Sequence, residues 1–147
     1  MSILKSRGFR SAVVTATALG TVAVAGTAAS AEPVDAQAGK WKSYGTIYDG
    51  KPDKGGIDVI TARYWSGNKK TQAAINFQSY GEVWTAHNKT ATTATVYGYV
   101  NGKLKVSKKL AAGKKWRKND SFGEGKDVSV KVKLHKRGSA SHGGGRS

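Results

Sequence analysis

The chemistry this chain offers is concentrated between Lys103 and Lys118. Lys103, Lys105, Lys108, Lys109, Lys114, Lys115, Arg117 and Lys118 fall in that stretch with no acidic residue among them, and Trp116 lies inside the run. Cations at this density neutralise the charged groups of a polymer and release its counterions, while an indole can stack on a ring or a base. Lysine outnumbers arginine here, which favours loose neutralisation over bidentate recognition. The expected ligand is therefore a polyanion read without sequence specificity: an anionic cell-wall polymer, an acidic polysaccharide or a phospholipid surface, with nucleic acid held only non-specifically. The same lysines also suit a solvated hairpin edge, where charge prevents edge-to-edge pairing. The alternative is a protein-interaction factor, an inhibitor or a subunit of a toxin or surface assembly, docking through a strand edge or a loop.

Other groupings offer less. Asp49, Asp53 and Asp58 sit around a glycine-rich loop, and hard cations need several oxygen ligands from such a segment. Their spacing matches no EF-hand loop, and Lys51 and Lys54 would compete with a metal, so turn-making aspartates are the simpler account. His87, His135 and His142 are far apart, with no cysteine to complete a zinc site. There is no G-x-S-x-G elbow and no thiol, and nothing singles out Glu82 and Glu124 as a catalytic carboxylate pair. The expectation is a non-enzymatic binding module with no cofactor and no metal. Asn88-Lys89-Thr90 fits a glycosylation sequon, a short pattern that recurs by chance.

Beyond residue 32 the apolar residues alternate instead of recurring at helical spacing. Val128, Val130, Val132 and Leu134 fall on one side of a strand, and Ser129, Lys131, Lys133 and His135 on the other. Similar runs occur at Trp41 to Tyr48, Ile57 to Trp65, Ala73 to Ser79, Glu82 to His87, Thr93 to Val100 and Lys103 to Ser107. Asn101-Gly102 predicts a two-residue type I′ turn pairing Val100 with Lys103 and Tyr99 with Leu104. That register groups Tyr97, Tyr99, Leu104 and Val106 on one face and Val96, Val100, Lys103 and Lys105 on the other. A bulged turn would instead oppose Val100 to Leu104 and turn the tyrosines outward. The pattern predicts an all-β fold, an antiparallel β-sandwich of about seven strands and immunoglobulin-like size, with a small β-barrel as the alternative. Most aromatic residues are expected in its core, with one tryptophan between the sheets and Trp65 and Trp116 nearest the surface.

The 147-residue chain has 25 Lys and Arg against 9 Asp and Glu, a formal net charge of +16, and no cysteine. Lys5, Arg7 and Arg10 precede an uncharged stretch from Ser11 to Ala29, and Ala29-Ser30-Ala31 is a small-x-small cleavage pattern. Residues 1–31 are therefore expected to be a signal peptide cut near Ala31, with Ala36-Gln37-Ala38 as a second option, and the mature protein to be secreted and extracellular. Threonines and glycines dilute the stretch too much for a permanent anchor. Residues 32–39 read as a flexible leader, 40–137 as the β domain, and 138–147 as a disordered Gly/Ser-rich tail, because that last segment has no apolar side chain larger than alanine to bury.

Ile47-Tyr48-Asp49 through Asp53 and Gly55, Ala62-Arg63-Tyr64, and Gly125-x-x-Val128 leading into Lys131-Val132-Lys133-Leu134 together resemble the small secreted β-sandwich proteins of actinobacteria. Tyr48 and Lys133 stand where members of that group carry cysteines. The resemblance implies the sandwich fold and secretion, and it transfers no active site.

Overall fold

The computed structural model describes residues 40–51 and 55–147. The expected signal segment and leader lie outside the described residues, as do Pro52, Asp53 and Lys54. The described chain is all-β, with nine strands: β1 (Trp41–Asp49), β2 (Ile57–Trp65), β3 (Asn68–Gln78), β4 (Val83–Asn88), β5 (Ala94–Val100), β6 (Lys103–Leu110), β7 (Lys115–Asn119), β8 (Asp127–Leu134) and β9 (Gly138–Arg146). Every pairing is antiparallel, in the order β6-β5-β8-β9-β2-β3-β4-β7, with β1 on β2. A single bridge, Ile57 to Arg146, joins β9 to β2. About that corner the sheet folds over so that β3 faces β8 and β5, a sandwich nearly closed into a barrel.

Alternation builds the core as the sequence predicts. Val128, Val130, Val132 and Leu134 are buried, and Val59, Ile75, Phe77 and Val96 meet them from other strands. Trp84 is the tryptophan between the sheets, fully buried, with its ring against Phe77 at 4.7 Å and Phe122 at 6.3 Å. Across the sandwich it lies on Gly98, where an added Cβ would come within 2.4 Å of the indole. Truncating a residue so placed costs about 3–5 kcal/mol. Trp65 and Trp116, expected near the surface, are partly buried and pack against this core.

The hairpin turn is the one predicted. Asn101 (φ 47°) and Gly102 (φ 74°) occupy the left-handed region a type I′ turn requires, and Val100 pairs with Lys103 and Tyr99 with Leu104. The faces differ from expectation because of a bulge further along. Lys105 is the extra residue, so Val106 opposes Gly98 and joins the buried row of Ala94, Val96 and Val100. Tyr97 and Tyr99, which alternate with that buried row, point outward beside Leu104; Lys103 stays on the Val96 side at the strand end, and Lys105 leaves it as the bulge residue.

Two strands exceed the expected seven. β7, Lys-Trp-Arg-Lys-Asn, has no apolar alternation; pairing to β4 and the packing of Trp116 on the core order it. The segment 138–147, expected to be a disordered tail, instead forms β9 over Gly138–Arg146, paired along β8. Its small residues are the reason it fits. A Cβ at Gly145 would lie 2.5 Å from Val59, so the backbone itself, and not a side chain, occupies the space beside β2. Ser147 is buried, donating from its backbone N to Lys126 O (3.1 Å) and from Oγ to Gly123 O (2.7 Å). The β domain therefore runs to Ser147.

Candidate polyanion-binding surface

The strands run up and down in strict alternation, so their ends form opposite poles. Asp49, Asp58, Glu82, Asp120, Glu124 and Asp127 all lie at or beside the pole where odd-numbered strands end and even-numbered strands begin. The other pole carries no carboxylate among the described residues. It gathers Lys40 and Lys42 entering β1, Arg63, Lys69 and Lys70 around the β2–β3 turn, and Lys89 between β4 and β5. Lys108, Lys109, Lys114 and Lys115 around the β6–β7 turn, and Lys133, His135, Lys136 and Arg137 around the β8–β9 turn, complete it. All are exposed except Arg63 and Arg137, which are half-buried.

Magnitudes decide whether the far carboxylates matter. A nine-residue strand such as β2 spans about 30 Å. The screening length at physiological salt is about 8 Å, so the acidic pole leaves the field of the basic one unopposed. Ion pairs form at the acidic pole, Lys51 with Asp49 at 3.5 Å and Lys118 with Asp120 at 2.9 Å.

Local contacts order the basic pole. Asn88, fully buried, donates from Nδ2 to Thr92 O (2.7 Å), Leu110 O (3.0 Å) and Ala111 O (3.2 Å), and its Oδ1 accepts from Thr90 N and Oγ1. Its backbone N donates to Lys114 O, and its carbonyl accepts from Gly113 N. One side chain thus ties the β4–β5 loop to the β6–β7 turn. Arg63 donates from Nε to Arg137 O (2.9 Å) and from Nη1 to Ser43 Oγ (3.0 Å), fixing the β8–β9 turn. Burial pulls its guanidinium below the ordinary value, yet arginine stays charged. Arg137 lies 5.0 Å over the Trp41 ring and Lys40 5.7 Å over Trp65, while the two indoles meet edge to face at 5.5 Å. These rings hold cations at the pole.

His87 pairs with Lys115 on the outer face of β4 and β7, beside Lys89 and Arg117, in a shallow depression of about 570 Å³. Burial first, then Lys89 and Lys115, holds its imidazole below the ordinary value, so it is neutral at pH 7. Its Nε2 is buried without a hydrogen-bond partner.

The structure divides the sequence-predicted cluster. Lys108, Lys109, Lys114 and Lys115 lie at the basic pole, and Arg117 is one residue row below His87 and Lys115. Lys103 and Lys105 begin β6 at the acidic pole, and Lys118 is paired there with Asp120. Trp116 faces inward opposite Ala86. The cations of the other loops were missed because only the topology brings them beside the β6–β7 turn. The remaining candidates have structural duties: Asp58 Oδ1 accepts from Ser79 N and Oγ, and Glu82 Oε2 accepts from Phe122 N. The sequon asparagine is buried and bonded, so a glycan has no access to it in the folded domain. Comparison of the chain with protein-family models, curated proteins and solved structures finds no match.

Proposed function

We propose that this chain is an exported, non-enzymatic binding module that grips an anionic polymer by its basic pole. The segregation of charge supports this reading: five separate segments bring cations to one pole. Charge serving solubility alone has no reason to avoid the other pole's carboxylates. Docking of a protein along the open β6 edge is disfavoured. Lys108 stands opposite Val96 on the inward-facing row between Val106 and Leu110, and an inward-pointing charge on an edge strand obstructs pairing.

The test compares two sets of substitutions that remove equal charge. Lys109, Lys114, Lys115 and Lys136→Gln empties the basic pole, whereas Lys51, Lys103, Lys105 and Lys126→Gln spares it. On a sulfated-polysaccharide resin, the first set should elute at much lower salt and flatten the salt dependence by roughly 0.7–0.9 log units per lost contact. The second should elute near the parent, beyond the small shift common to any charge loss. Equal effects would refute the polar site, and retention of the parent above half-molar salt would refute the polyanion reading.

A further inference from the structure

The outward face of β6, β5, β8 and β9 carries a pattern the basic pole does not explain. Tyr97 and Tyr99 alternate with the buried Val96, Gly98 and Val100 and so point outward, two positions apart and about 7 Å along the strand. Beside them Thr95 pairs with Lys109 on β6 and with Lys133 on β8, and Tyr97 pairs with Ser107 and Lys131. Lys109 and Lys133 thus straddle Thr95 with their backbones about 10 Å apart, within mutual reach of one anionic group above it. Thr93, Thr95, Tyr97, Lys109, Lys133 and His135 line a depression of about 420 Å³. A second, of about 500 Å³, adjoins Tyr99 with Ser129, Lys131 and Ser141 in its wall. No carboxylate lines either one.

We infer that this face is a subsite for an acidic polysaccharide, one sugar ring seated against Tyr97 with its carboxylate or sulfate between Lys109 and Lys133. The inference rests on the polyanion reading and narrows it. A ring floor adds nothing for a bare phosphate chain. The hydroxyls of Thr93, Thr95, Ser129 and Ser141 are partners for sugar hydroxyls. The tyrosines are half-buried in concave surface, where a flat lipid headgroup layer does not reach. Two such depressions along one strand suit a chain that repeats its rings.

The experiment titrates the protein calorimetrically with an oligogalacturonate, inorganic polyphosphate, a single-stranded oligonucleotide and neutral dextran. Tyr97→Leu should weaken oligogalacturonate binding about tenfold, the scale of one lost stacking contact. Polyphosphate binding should be unchanged, and Tyr97→Phe should retain the sugar affinity. Thermal unfolding confirms that each variant is folded. If Tyr97→Leu leaves oligogalacturonate binding intact or weakens both polyanions equally, the subsite is refuted while the polyanion reading stands. Tighter, Tyr97-dependent binding of the oligonucleotide refutes the sugar assignment. Failure of every polyanion to bind overturns both.

Discussion

Asn88 is where one substitution tests the organisation of the basic pole most severely. Its carboxamide satisfies the carbonyls of Thr92, Leu110 and Ala111 and the N–H and O–H of Thr90, and Asn88 itself has no solvent exposure. Each bond nets about 1 kcal/mol, and a buried group left without a partner costs about 1–3 kcal/mol. Asn88→Ala is therefore expected to cost about 3–4 kcal/mol. At about 4 °C per kcal/mol for a domain of roughly this size, Tm should fall by about 12–16 °C. Asn88→Asp keeps the shape but replaces the amide donor with a carboxylate oxygen facing carbonyls, so it should cost more than alanine. Thermal unfolding followed by circular dichroism, with urea titration for free energies, reads both. A loss below about 1 kcal/mol for Asn88→Ala, or an aspartate variant no worse than alanine, would refute the account. Loosening this tie should also weaken polyanion binding, since Lys89 and Lys114 sit on the two segments it joins.

The remaining predictions concern protons and edges. His87 has a lowered folded value, so the unfolded chain takes up the proton first; its contribution to stability is present above about pH 6.5 and is lost as pH falls through that value toward the folded one. His87→Gln should flatten this part of the stability profile measured by urea titration between pH 7.5 and 5. A bound polyanion that screens Lys89 and Lys115 should raise the His87 titration seen by NMR, and a midpoint unmoved by the polymer would count against contact there. Lys108→Val would make the inward row of β6 continuously apolar from Val106 to Leu110 on an unpaired edge. Concentration-dependent self-association in sedimentation is expected, and a variant that stays monomeric at high concentration would contradict the protective role given to Lys108.

Rules that act locally along a strand were legible in the residues alone. The alternation from Val128 to Leu134 assigns a buried and a wet face because successive side chains point to opposite sides. Asn101-Gly102 specifies its turn because few other residue pairs tolerate the required backbone angles. Long-range pairing set the rest. β7 and β9 are strands because neighbours supply their hydrogen-bond partners, and β9 is admitted by the absence of side chains that made it look unstructured. The Lys105 bulge placed Val106 on the buried side of the hairpin, away from the face that carries the tyrosines. Lysines of one strand, such as Lys103 and Lys109, were sent toward opposite poles, while Lys42, Lys89, Lys114 and Lys136 were brought to the same one. Charge density in space depends on which loops converge, and that is set by long-range pairing, to which a run of residues along the chain is blind.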